Sequence, residues 1–208
     1  MLSDDTFLLS ILDHPDENAP RLVYADWLEE HGETARAELI RLQCAGQEHE
    51  RVQELLDRHG LEWAGPELRH VYSCAFRRGC VEEVTVDAGL FLEVGERLFA
   101  AAPIRLLRVI GVRAVLGRFV QSPLLARLRG LHLTGCKVGD DGAELLARCE
   151  HLRSLRTLRL GENAIGDRGV EALTASRGLH RLSTLVLHGN LIGDLGARLL
   201  AACNRLPS

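Results

Sequence analysis

Several features that mark particular classes of protein are missing from this chain. None of its 208 residues falls in an apolar run of about 18, the length that a transmembrane helix needs. The acidic start has neither the basic residues nor the apolar stretch of a secretion signal. Aromatic residues make up only 4% of the chain, so any core must be aliphatic. We therefore expect a cytoplasmic protein that packs mainly through leucine, and no membrane partner.

Recognisable catalytic and metal-binding motifs are also missing. The chain has no G-x-S-x-G nucleophile elbow, no phosphate-binding loop and no G-x-G-x-x-G dinucleotide motif. Its six cysteines include no C-x-x-C pair, and its nine histidines do not fall at zinc-ligand spacings. Reduced, packed cysteines are the simpler prediction, and a disulfide or metal framework is the alternative. We expect no enzyme, no cofactor and no metal.

Charge is distributed unevenly along the chain. Residues 1–80 carry 16 acidic and 8 basic side chains, whereas residues 81–208 carry 13 and 17. Such asymmetry favours two functional regions. The net acidity and the scarcity of aromatic residues argue against nucleic acid as a partner.

A repeat of 27 residues occurs in the second region. Residues 128–142, 155–169 and 182–196 share leucine at positions 1, 4 and 6, asparagine or cysteine at position 9, and Gly-Asp at positions 12 and 13. Leucines that alternate with polar residues predict a short strand buried on one side. The ninth positions, Cys136, Asn163 and Asn190, predict a ladder in which inward side chains bond backbone groups. The aspartate is expected to cap the helix that follows it.

This pattern resembles the leucine-rich repeat, and the repeat length resembles its longer, ribonuclease-inhibitor-like subclass. The resemblance implies an α/β leucine-rich-repeat solenoid, with parallel strands on the concave face and helices on the convex face. Two looser copies at residues 104–109 and 81–86 bring the expected number of parallel strands to five. Residues 71–76 and 80–86 predict a hairpin, whose antiparallel strand would cover the first edge of the sheet.

Residues 1–70 predict a helical capping domain, and residues 71–208 the repeat domain. The second of four predicted helices begins near Pro20, the third spans residues 34–45, and the fourth spans residues 47–59 and ends at Gly60. The side chains predicted to face inward in the last three helices are Val23, Trp27, Leu28, Ala35, Leu39, Ile40, Leu42, Val52, Leu55 and Leu56.

The segment 21–32, with the sequence RLVYADWLEEHG, and residues 36–43 resemble the repeat-companion domain of planctomycete bacteria. That domain precedes leucine-rich repeats in many proteins, so the resemblance implies this architecture and a bacterial source, but no activity. Trp27 is interpreted as an anchor of the helical bundle and Asp26 as a surface or capping group; a docking surface at Tyr24, Asp26 and Trp27 is the alternative.

The concave face of the solenoid is the predicted binding site. Equivalent positions of neighbouring strands stack about 4.8 Å apart, so arginines from successive repeats form a basic band. The predicted contact residues are Arg105, Arg108, Arg129, His132, Thr134, Arg156, Thr157, Arg159, Thr184, Val186 and His188. A solvated polar face is the alternative interpretation of these positions.

We therefore expect a non-catalytic scaffold that binds a protein with an acidic surface through this face. The alternative function is a regulator of an enzyme, similar to ribonuclease inhibitor or to a GTPase-activating protein. No polar capping repeat follows the third regular copy, which predicts either further chain or self-association through that edge.

Overall fold

The structure is a computed structural model that describes residues 4–47 and 50–203. It divides into two compact units, one formed by residues 1–84 with 96–104 and the other by residues 85–95 with 105–208. Six strands lie in one sheet in chain order. The units interleave along the chain, and the predicted domain boundary at residue 70 stays a prediction.

The described part of the first unit contains four complete helices, a strand pair and the end of a fifth helix. In chain order its elements are α1 (Asp4–Asp13), α2 (Ala19–Glu30), α3 (Thr34–Cys44), α4 (Glu50–Ala64), a 3-10 turn (Pro66–His70), β1 (Ser73–Arg77) and most of β2 (Cys80–Asp87). Its core joins apolar side chains of the first three helices to the start of β2, namely Phe7, Ile11, Tyr24, Ala25, Leu28, Ala37, Ile40 and Cys80. The helical character predicted for this region is confirmed.

Two details of the predicted helices are wrong. Val23 is 57% exposed, whereas the neighbouring Arg21 is completely buried. The buried side chains of α2 are Arg21, Tyr24, Ala25 and Leu28, so the predicted inward stripe is right at Leu28 and wrong at Val23. Arg21 can lie on the buried side because it forms an ion pair with Glu82. Helix α4 passes through Gly60 and ends at Ala64, just before Gly65 at φ 78° and Pro66. Of the residues predicted to begin it, 48 and 49 lie outside the described residues.

A two-residue turn joins β1 to β2. Arg78 and Gly79 both have positive φ, 50° and 78°, the pair of conformations that a tight hairpin turn with the twist of its strands requires. Two residues are too few to connect parallel strands, so β1 and β2 are antiparallel. The hairpin prediction is confirmed, but the turn is shorter than expected, because Arg77 belongs to β1.

The second unit contains the repeats. Its elements are the first part of α5 (Ala88–Ala101), β3 (Leu106–Ile110), α6 (Leu116–Phe119), β4 (Gly130–His132), α7 (Gly139–Arg148), β5 (Thr157–Arg159), α8 (Asp167–Ala175), β6 (Thr184–Val186) and α9 (Asp194–Ala202). Strands β3 to β6 are parallel, and their partners repeat in strict register, with Leu107, Leu131, Leu158 and Leu185 side by side. The first three of these leucines are fully buried. Parallel strands alternating with helices confirm the α/β class.

The expected helix cap is wrong in one respect. Asp140 does not cap its own helix; its Oδ1 atom accepts hydrogen bonds from the backbone N–H groups of Gly166 and Gly169, at the start of α8. Asp167 does the same for Gly193 and Gly196 at the start of α9. The Gly-Asp pair comes at the beginning of its own helix, so the carboxylate lies beside the next helix rather than before its own. Asp140 and Asp167 therefore each cap the helix of the following repeat.

Candidate functional site

A ladder of hydrogen bonds between asparagine side chains and backbone groups lies behind the strand ends. The Nδ2 atom of Asn163 donates to the carbonyl oxygens of Leu133 and Gly161 at 2.8 and 2.9 Å, and its Oδ1 accepts from the Val138 amide at 3.1 Å. One repeat later, Asn190 donates to the Leu160 carbonyl at 2.8 Å. Asn163 is completely buried. These bonds tie each turn to the preceding repeat and so fix the strand positions.

Cys136 is the first rung of this ladder. Its Sγ lies 3.2 Å from the Val109 carbonyl oxygen, the same backward contact that the asparagines make. A thiol has one donor and makes fewer bonds than an amide, so this rung joins fewer groups. The pKa of the Cys136 thiol is raised, chiefly by burial. The side chain therefore serves packing and weak hydrogen bonding, with a second, longer contact of 3.7 Å to the Thr134 carbonyl oxygen.

A second ladder, which the sequence interpretation missed, runs along the helix ends. The Cys149 thiol lies 3.1 Å from the Val120 carbonyl oxygen, and the Ser176 hydroxyl donates to the Ala147 carbonyl. Cys203 makes a longer contact, 3.9 Å, with the Thr174 carbonyl. These three residues are spaced by 27, so the repeat period itself was the signal that could have found them. This ladder gives a structural role to Cys149 and Cys203.

The candidate face is the outward side of β3 to β6. The strand register places Arg108, His132, Arg159 and Val186 side by side on neighbouring strands. Arg108 and Arg159 are exposed, and at about 4.8 Å per strand their backbones lie roughly 10 Å apart. Neither guanidinium has a carboxylate within salt-bridge distance among residues 4–47 and 50–203. The strands thus bring these two predicted site residues together.

Two of the predicted arginines are used internally instead. Nη1 of Arg105 donates to the Arg127 carbonyl oxygen at 2.7 Å, and Nη1 of Arg129 contacts the Ser154 carbonyl oxygen at 3.4 Å. Both side chains are only partly exposed, whereas Arg156, in the equivalent position of the next repeat, is exposed. The margin of the face therefore offers one fully exposed guanidinium rather than three.

The two histidines of the face differ in environment. His132 is only 7% exposed, so it adds little contact area. His188 is exposed; its ring covers Gly161, where an added Cβ would lie 2.4 Å from Cε1, and its Nε2 lies 3.7 Å from a Glu162 oxygen. Thr134 and Thr184 are exposed, and Thr157 and Val186 are half-buried. The accessible chemistry of the face is thus guanidinium, hydroxyl and one imidazole.

The distinctive segment of α2 is explained by contacts within the first unit. The buried Arg21 guanidinium donates to Glu82 Oε1 at 2.8 Å, and the Tyr24 hydroxyl hydrogen-bonds Asp4. Burial raises the pKa of Tyr24 well above its usual value. Asp26 pairs with Arg41 at 2.8 Å. These contacts support a structural role for the segment.

The side chains that could bind a metal or act as nucleophiles were located in the described part of the chain. No three histidine, cysteine or carboxylate side chains are grouped as metal ligands there. All six cysteines are free, and burial raises the pKa of the Cys80 thiol to about 11, which makes it a poor nucleophile near neutral pH. Of the helices that are described, none has the length and apolar character to cross a bilayer.

Comparison with known families bears on the repeats directly. Residues 128–147 and 151–173 match the model of the Leucine Rich repeat. These two segments are leucine-rich repeats. They coincide with the strand β4 and helix α7 and, one period later, with β5 and α8. Leucine-rich repeats generally mediate protein–protein interaction and are generally non-catalytic.

No curated protein matches the chain. Neither repeat match extends into residues 1–50, so the resemblance of that segment to the repeat-companion domain, and the bacterial source it implies, stay predictions.

Proposed function

We propose that the protein is a non-catalytic scaffold of the solenoid form, which binds an acidic surface of a protein partner through the outward side of β3 to β6. The observation that carries the proposal is the pair Arg108 and Arg159, held on parallel strands in one row with exposed side chains. Arg156 adds a third exposed guanidinium at the margin. Guanidinium groups form paired hydrogen bonds to carboxylates, which suits an acidic partner.

Rigidity of the face supports this proposal. The Asn163 amide makes three hydrogen bonds behind the strands. Leu158, which lies in β5, and Leu160, which directly follows it, are completely buried. A face that is already ordered loses little conformational entropy when a partner binds. The face also carries Thr134 and Thr184, whose exposed hydroxyls supply hydrogen bonds that do not depend on charge.

Position-specific photo-cross-linking tests which surface binds. A photoreactive phenylalanine analogue is introduced singly at Thr134 and Thr184 on the strand face, and at Arg118 and Glu171 as exposed control positions on helices. We expect the same discrete protein adduct from both face positions in native cells and no such adduct from the controls. Adducts from the helix positions alone would contradict the proposal.

We further propose that the β6 edge associates with a second copy of the chain. Leu185 and Leu187 are partly exposed, whereas their counterparts Leu158 and Leu160 are completely buried, and Leu191 is 72% exposed. Among the described residues β6 is the last strand of the sheet, and a strand edge beside apolar side chains favours pairing. Sedimentation velocity should show a dimer that Leu191→Glu disperses; a monomer at all concentrations would contradict this part of the proposal.

A further inference from the structure

A groove of about 670 Å³ lies between α4 and β1, within the first unit. One wall is a stripe of α4 at helical spacing, and the other is the strand β1. The lining side chains that matter here are Val52, Leu56, Leu61, Leu68, Cys74 and Phe76. Leu61 is 84% exposed at the rim, although the other leucines of this wall are more buried. A groove of this size and apolar character is suited to a ligand.

The strand in the groove wall is an edge strand. Among the described residues β1 is the first strand of the sheet, with β2 as its neighbour. The two-residue turn makes Arg77 and Cys80 the first hydrogen-bonded pair, so the backbone groups of Phe76 and Cys74 point away from β2. The outward N–H and C=O groups of Cys74 therefore face the side on which a further strand would lie.

One end of this edge is already occupied by the side chain of Gln43. The Gln43 amide donates through Nε2 to the Phe76 carbonyl oxygen at 3.1 Å and accepts through Oε1 from the Gly79 amide at 2.8 Å. The amide group thus bonds the last part of β1 at Phe76 and the hairpin turn at Gly79. An added strand would therefore begin where Gln43 stops and run past Cys74.

The charged side chains along the groove indicate which charge its occupant carries. Arg69 and Arg77 lie along it, and among the described lining residues Asp57 is the one carboxylate. Arg77 is paired with Glu83 at 2.9 Å, and Asp57 accepts a hydrogen bond from Gln53 at 2.7 Å. Arg69 is exposed and has no carboxylate partner in the described part of the chain. An occupant with a carboxylate would complement this guanidinium.

We propose that the groove binds an extended peptide as an added strand on the outer edge of β1, beside Cys74, with alternate apolar side chains against α4 and an acidic side chain at Arg69. Addition of a strand to a sheet edge takes its affinity from backbone bonds and its specificity from pockets for alternate side chains. The site lies in the first unit and does not depend on the function proposed for the strand face of the repeats.

Two pairs of variants separate the features of this site. Gly60 lies in the α4 wall, where an added Cβ would be 3.8 Å from Leu56 and 3.9 Å from Phe76, so Gly60→Leu fits at its Cβ and fills the groove. Gly117→Leu is the matched control, because nothing lies within 4 Å of a Cβ there. Cys74→Pro removes the outward N–H, and Cys74→Ser keeps it.

The experiment selects random seven-residue displayed peptides on the full wild-type chain and measures the affinity of synthetic copies for each variant. We expect enriched sequences with alternate apolar residues and an aspartate or glutamate. Their affinity should fall at least tenfold with Gly60→Leu and with Cys74→Pro, and change less than twofold with Gly117→Leu and Cys74→Ser. Thermal unfolding of each variant confirms that it is folded.

Other results would overturn the proposal. No enrichment, or equal binding to wild type and Gly60→Leu, would show that the groove does not bind peptides. Loss of binding with Gly60→Leu but not with Cys74→Pro would show that the groove takes apolar groups without strand addition. A wild-type dimer that Cys74→Pro disperses would show that a second copy of the chain occupies the edge.

Discussion

Asp140 holds the start of the next repeat's helix, since its Oδ1 accepts a hydrogen bond from the backbone N–H of Gly169 at 3.0 Å, 29 residues further along the chain. The approach is so close that a Cβ on Gly169 would lie 2.6 Å from that oxygen. The glycine and the aspartate are therefore required together, one in each of two successive repeats, which explains why both recur with the period.

The first prediction concerns this cap. Asp140→Ala should lower the free energy of unfolding by about 1–2 kcal/mol, because two helix-terminal amides lose their acceptor. Asp140→Asn keeps an acceptor oxygen and should cost less. Denaturant unfolding measures both, and Glu171→Ala, an exposed change on α8, is the control. Equal effects of Asp140→Ala and Glu171→Ala would show that the cap does not stabilise the repeats.

Asn163 provides the second prediction. Its buried amide satisfies three backbone groups, so Asn163→Ala should destabilise the chain by roughly 3 kcal/mol through unsatisfied polar groups. Asn190→Ala is the matched change at the partly exposed last rung, where water can replace the lost bonds, and it should cost about half as much. A chemical denaturation series compares the two. A larger effect at Asn190 would contradict this interpretation of the ladder.

The hairpin turn gives a third prediction. A Cβ on Gly79 would lie 2.1 Å from Cγ1 and 2.9 Å from Cα of Ile40, and its φ is 78°. Gly79→Ala should therefore destabilise by about 3 kcal/mol or more, since strain and overlap act together.

Gly46→Ala separates these two causes. Gly46 also has positive φ, 70°, but nothing lies within 4 Å of its Cβ position, so only the backbone strain of about 1 kcal/mol remains. Thermal unfolding of both variants is the measurement. If Gly46→Ala costs as much as Gly79→Ala, the close approach to Ile40 has no energetic effect.

The buried ion pair of the first unit gives a fourth prediction. Glu82→Gln leaves the fully buried Arg21 guanidinium without its carboxylate and removes a partner of Arg78, and we expect a loss of about 3–5 kcal/mol. Glu83→Gln breaks the exposed pair with Arg77 and should cost less than about 1 kcal/mol. Calorimetry compares the two neighbouring changes. Similar midpoints for both would contradict the structural role assigned to Arg21.

Much of the second unit could be predicted from its sequence because identical spacing produces identical contacts. The period of 27 residues located the strands β4 to β6 and the rungs Cys136, Asn163 and Asn190. It did not show that Asp140 bonds the following helix, since a local pattern contains no information on which turn lies beside which. Contacts between repeats depend on how far each turn is displaced along the stack.

The first unit was less predictable. The exposure of Val23 and the burial of Arg21 reverse the usual preferences, and the reason, Glu82, lies 61 residues away.

In the second unit, the hydrogen bond from Arg105 to the Arg127 carbonyl oxygen could not be predicted either. An arginine among polar positions is interpreted as a surface residue whether or not it bonds the backbone. Equivalent positions of the repeats predict which arginines lie on the strand face, but not which of them bond backbone groups and so are less available to a partner.

Quantitative affinity capture with charge-reversed variants tests the proposal that Arg108 and Arg159 on the strand face bind a partner protein. Wild type is compared with Arg108→Glu/Arg159→Glu and with Arg118→Glu/Arg177→Glu, a control that reverses two exposed charges off the strands. We expect a partner protein that wild type and control retain equally and whose retention by the strand-face variant falls at least tenfold. Equal retention by all three folded proteins would contradict it.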